Sequence, residues 1–174
     1  MLSLQPIREK LVRAQSTFLR AADVIPVEKW DASPGLEQWS AAELVAHLVV
    51  VERGILGRAD GAIRNSPQPV PFAKRFHLPL WLVEARVIRR KSPVPLDPKL
   101  IATKETMLGD LRCARERTLA FLSETETRNL SAYCWRHPFL GMLNTYEWME
   151  MIATHQLRHT KQLREIEAKL SRKL

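Results

Sequence analysis

Apolar residues return at three- and four-residue intervals in four long stretches of this chain, and strand-like alternation is absent. The first stretch runs from about Pro6 to Val24, with Ile7, Leu11, Ala14, Phe18 and Ala21 on one face. It ends at VIPVEKWDASPGLEQ, whose prolines and glycine interrupt a helix. The second opens with a complete start signal: Ser40 can cap the first turn, Glu43 can return the bond, and Trp39 can pack on Leu44. Leu44, His47, Leu48, Val51 and Ile55 then form its stripe.

From residue 57 to residue 98 the pattern lapses, with seven prolines and only a short helix predicted near 78–91. Asp97 and Pro98 form a cap and first-turn pair for a third long helix bearing Leu100, Thr103, Met107, Leu111, Ala114, Leu119 and Leu122. The fourth helix repeats the opening of the second, with Asn144 as cap, Glu147 closing the box and Leu143 placed to pack on Trp148. Its inward stripe reads Trp148, Met151, Ile152, His155, His159, Gln162 or Leu163, and Ile166. Four such helices predict an all-α four-helix bundle, with an irregular insert at 57–98 between the second and third.

At 174 residues and 45% hydrophobic content, the chain is long enough for one well-filled core and short for two, so 1–174 reads as a single domain. The opening MLSLQPIREKLVR becomes charged before a secretory leader could form, and no apolar run approaches the ~20 residues of a membrane span. A cytoplasmic protein is expected. Cys113 and Cys134 have no CxxC spacing and are given no role. A net charge of +8 raises the question of nucleic acid, but the basic residues are scattered over helical faces among Glu84, Glu165 and Glu167. No nucleic-acid-binding motif accompanies them, and a basic nucleic-acid-binding protein is the weakest reading.

Five histidines carry the candidate chemistry. His155 and His159, in HQLRH, lie one turn apart on one helix face, and His47 falls on the stripe of another helix. Any one alone reads as a core histidine bonded to a nearby carbonyl or carboxylate. Three inward imidazoles need a common partner, because a buried ring is costly unless both nitrogens are satisfied, and one divalent ion supplies it. Zn, Ni, Fe or Mn would suit imidazole. Such a site leaves positions open for water or substrate, and should weaken on acidification through roughly pH 6–7. Position 156 is Gln, so the motif lacks the general base of the HExxH proteases. His77 and His137 lie in Pro-adjacent, loop-like stretches and read as ordinary. Gln162, Trp39 and Trp148 are pocket candidates, the two tryptophans equally placed for packing. Glu43 is a candidate to orient His47, against its use in the capping box. Arg158 lies off the His155–His159 line.

The segments EQWSAAELVAHLVVVE and HPFLGMLNTYEWMEMIATHQLRHTKQLREI resemble the DinB-like (DinB/YfiT) family across most of the chain except the 57–98 insert. The resemblance implies a four-helix bundle in which His47, His155 and His159 bind a divalent metal. It is similar to metal-dependent S-transferases that join a low-molecular-weight thiol to a small electrophile, and to thiol-dependent isomerases. His155, where the maleylpyruvate isomerase type commonly has Glu, favours the DinB/YfiT branch. An S-transferase or hydrolase acting on a small-molecule substrate, in a homodimer, is therefore expected; a non-catalytic metal-binding or stress-response module is the alternative.

Overall fold

Ser40 and Asn144 open two of the four long helices as their sequences require. The computed structural model describes residues 4–67, 77–84 and 97–172. Its elements are α1 (Gln5–Asp23), α2 (Ala41–Ile63), α3 (Trp81–Glu84), α4 (Lys104–Glu124), β1 (Cys134–His137), β2 (Gly141–Asn144) and α5 (Thr145–Ser171). At α2, Ser40 Oγ accepts from Glu43 N at 3.1 Å while Glu43 Oε2 accepts from Ser40 N at 2.8 Å. At α5, Asn144 and Glu147 exchange the equivalent bonds at 3.1 and 2.8 Å. These boxes fix where both histidine-bearing helices begin, and hence which faces their side chains present.

Three boundaries differ from the sequence reading. The second helix does not end at Gly57 but continues to Ile63. Gly57 and Gly61 face open space; each costs roughly 1 kcal/mol in a helix. Burying Ile55, Leu56 and Ala59 beside them offsets that, at about 1.5–3 kcal/mol for each large side chain. Asp97 does cap, accepting from Lys99 N at 2.9 Å, but only for the 3₁₀ turn Pro98–Leu100. Thr103 has extended backbone and caps α4 afresh through Thr106 N, so Leu100 lies outside the stripe, 44% exposed. Of the predicted 78–91 helix, α3 covers Trp81–Glu84; residues 85–91, and residues 68–76 of the insert, lie outside the described residues.

A small antiparallel hairpin is a further difference. β1 pairs with β2 in the register Cys134↔Asn144 to His137↔Gly141. Strands of four residues are too short for alternation to stand out in the sequence. The hairpin is held by α5: Trp148 stacks on Trp135 with ring centroids 5.1 Å apart and donates from Nε1 to Trp135 O at 3.2 Å. Gly141, at φ 104°, takes a backbone conformation that suits glycine in the turn.

α1 packs chiefly on α5, and α2 on α4 and α5. The core forms two apolar clusters. One gathers Phe18, Leu44, Leu48, Leu111, Leu163 and Ile166; the other gathers Leu11, Ile55, Phe121, Leu122, Trp148 and Ile152. Between them along α2, α4 and α5 lies a buried polar level made of Glu52, Arg115, Thr118, Gln156, His159 and Thr160.

Candidate metal centre

His47 is carried on the second turn of α2, His155 and His159 on the middle of α5. Their side chains meet: His155 Nε2 is 3.3 Å from His47 Nε2 and 3.0 Å from His159 Nε2. Two nitrogens about 2.0–2.1 Å from one ion, subtending between a right angle and the tetrahedral angle, lie roughly 2.8–3.4 Å apart. The observed separations fall in that interval. A proton on His155 Nε2 could serve only one of its two neighbours, whereas one ion serves three lone pairs. The donor set therefore fits a divalent cation, and among the described residues no carboxylate or cysteine joins the group.

The protonation states agree with this use. Burial pushes His47 down to about 4. Burial, with the neighbouring His159, His47, Arg158 and His137 adding to it, holds His155 well below the ordinary imidazole range. Both rings are thus neutral near pH 7 and can offer lone pairs. His159 Nδ1 lies 3.0 Å from Gln162 Oε1. An amide oxygen only accepts, so a proton on Nδ1 satisfies this contact and leaves the Nε2 lone pair for the cluster.

Gln162 therefore touches a histidine of the group rather than the space above it. Trp39 walls the site, with its ring 4.9 Å from His47 and 6.4 Å from His159. Trp148 is 5% exposed and committed to the hairpin, between Trp135 and the His137 ring, each 5.1 Å away. Glu43 does not orient His47: its carboxylate bonds Ser40 N, and His47 Nδ1 is buried with no hydrogen-bond partner among the described residues. Arg158 donates to Val83 O at 3.0 Å and so ties α5 to α3.

Neither remaining histidine joins the cluster, yet neither is idle. His77 Nε2 lies 2.9 Å from Glu147 Oε1, linking the insert to the capping box of α5. His137 Nδ1 accepts from Phe139 N and Leu140 N, both at 3.1 Å, and so caps the hairpin turn. Burial lowers His137 to about 4.

The buried network beside the histidines was missed in the sequence. Arg115 donates from Nε and Nη2 to the two carboxylate oxygens of Glu52 at 2.8 and 3.0 Å, from Nη2 to Gln156 Oε1 at 2.8 Å, and from Nη1 to Leu11 O. Thr118 Oγ1 adds a bond to Glu52 at 2.8 Å. Neither Cys113 nor Cys134 joins the histidine group.

A helical bundle with three imidazoles of two helices converging on one point defines a class of histidine-cluster bundle able to hold a metal ion. The family model of the DinB superfamily matches residues 10–163, and the chain belongs to that superfamily. It is also similar to the uncharacterized protein YuaE of Bacillus subtilis (strain 168), at 25% identity over 146 residues, covering 83% of this chain and 87% of YuaE.

Proposed function

We propose that this protein is a divalent-metal-dependent enzyme, an S-transferase or hydrolase acting on a small electrophile, with His47, His155 and His159 as the ligands. The observation that carries the reading is the convergence of three imidazoles in a group that no described carboxylate or thiol completes. Positions left open in this way are what catalytic sites keep and closed structural sites lack. A bound divalent ion lowers the pKa of a thiol or water and so supplies a nucleophile at neutral pH. Gln162 orients His159, and Trp39 screens one side of the group from water. A low-molecular-weight thiol is the co-substrate under the transferase reading, and the setting is a cytoplasmic homodimer. No described helix is long and apolar enough to cross a membrane.

Plasma-emission metal analysis of the purified protein tests the first half. The metal-loaded protein is then screened for transfer of a small thiol to electrophiles and for hydrolysis of small esters and amides. Turnover that requires both metal and the three histidines is the expected result. A protein that takes up no stoichiometric divalent metal overturns the reading. Metal without either activity favours the second one, a metal-binding module in which the ion braces α2 against α5.

A further inference from the structure

We propose that the buried layer of Glu52, Arg115 and Gln156 positions the histidines of the metal centre, by fixing how far α2 and α5 are advanced along each other. The inference rests on the reading of those histidines as ligands. Glu52 lies five residues after His47 on α2, and Gln156 lies between His155 and His159 on α5. Arg115 of α4 bonds both, and also the Leu11 carbonyl of α1, so one guanidinium touches all four long helices. The three side chains are 3%, 1% and 1% exposed, which removes water as a substitute partner.

Direction is what distinguishes this layer from the apolar clusters on either side. Burial of Leu, Ile and Met is non-directional and tolerates sliding. A guanidinium is planar, and two bonds to one carboxylate fix its plane, so its remaining N–H groups point along set lines. A ratchet of α5 by one turn, about 5.4 Å, would bring Ile152 or Thr160 opposite Arg115. Ile152 cannot accept a hydrogen bond, and the Thr160 hydroxyl, which donates to Gln156 O, sits two bonds nearer its backbone than the Gln156 amide oxygen and falls short of the guanidinium. Either register leaves a charged N–H unpaired in a low-dielectric interior.

The metal centre needs such a fixture at one distance. His155 and His159 share α5, so the helix itself sets their spacing. His47 comes from α2, so its 3.3 Å approach to His155 depends on how α2 is set against α5. Metal–ligand distances tolerate only about ±0.2 Å. Glu52 and Arg115 also cancel each other's charge, so the layer imposes register without placing a net charge beside the site.

The test separates position from stability. In the double variant Glu52→Met/Arg115→Met, apolar side chains of similar length replace the ion pair, a change that often leaves stability intact. We expect a folded protein whose Co²⁺ affinity is at least about tenfold weaker, with an altered visible spectrum of the bound cobalt. Gln156→Met, in which Arg115 and Glu52 stay paired, should lower Co²⁺ affinity in the same direction by a smaller factor. Leu122→Ala, in the apolar cluster away from His47, should lower the melting temperature and leave affinity and spectrum unchanged. Wild-type affinity and spectrum in both layer variants overturn the proposal, as does an equal loss in Leu122→Ala. A crystal structure of the metal-free double variant decides independently of metal uptake: retained α2–α5 register overturns the proposal and shifted register supports it. A wild-type protein that binds no Co²⁺ would instead overturn the functional reading.

Discussion

His159 Nδ1 lies 3.0 Å from Gln162 Oε1, one turn further along the same helix. This bond holds the ring in the tautomer that turns its Nε2 lone pair toward His155. Removing it leaves the imidazole free to rotate or to take the other tautomer. Gln162→Leu is therefore expected to weaken divalent-metal affinity about 10- to 100-fold. The change should barely move the circular dichroism melt of the metal-free protein, because Gln162 is only partly buried. Competition titration against a chromogenic chelator reads the affinity.

The three ligand positions are expected to act as a unit. His47→Ala, His155→Ala and His159→Ala should each abolish stoichiometric metal, since two remaining donors hold an ion far more weakly. His77→Ala and His137→Ala should retain it, because those rings bond Glu147 and the hairpin turn instead. Full metal content in His155→Ala and His159→Ala would mean that the cluster does not hold the ion.

Acid should destabilise the metal-free protein earlier than carboxylate titration would suggest. His47 has its pKa lowered from 6.5 to about 4 on folding, so between those values the unfolded chain binds a proton that the folded chain refuses. Stability is thus fully present above pH 6.5 and falls as pH drops toward 4, by on the order of 3 kcal/mol from this group. His137 and His155 are shifted in the same direction and deepen the fall. Urea midpoints from pH 8 to 4 measure it; a flat profile above pH 5 would contradict the burial of these rings. The same lowering at His47 moves the expected metal loss on acidification below pH 6–7.

Breaking one side of the buried ion pair should be costly. Arg115→Met alone leaves the Glu52 carboxylate 3% exposed and without its cation. A loss of about 3–5 kcal/mol in denaturant unfolding is expected.

Assembly is open to a simple measurement. Val12, Val24 and Val27 are 52–64% exposed on α1 and the turn that follows it. Light scattering is expected to give about twice the 20.0 kDa chain mass at micromolar concentration. A mass near that of one chain would rule out the homodimer.

The histidine cluster was legible because it obeys helical spacing twice over: His155 and His159 one turn apart, His47 at an inward position of a helix whose start Ser40 and Glu43 fix. The buried ion pair obeys the same rule but was read past. Glu52 follows Leu48 by four residues and Arg115 follows Leu111 by four, so both fall on inward stripes. A charge there is assumed to be solvated unless its partner is known, and the partner lies 63 residues away. The end of α2 was misplaced for a related reason. Glycine signals a break locally, while the burial of Ile55, Leu56 and Ala59 that carries the helix through is a tertiary effect.

The distances between the three histidines along the chain bear on how the protein would take up a divalent ion. His155 and His159 are neighbours on one helix, whereas His47 is 108 residues from His155. A chelating pair exists as soon as the middle of α5 is helical, before any long loop has closed. The third ligand arrives only after α2 has docked, which requires the slow, entropically costly closure of the intervening chain. A cation caught early by the α5 pair would then reward the docked state, with three ligands, more than the open one, with two. Supplied during refolding, it should slow unfolding more than it speeds folding, and leave the assembled protein kinetically trapped around the ion.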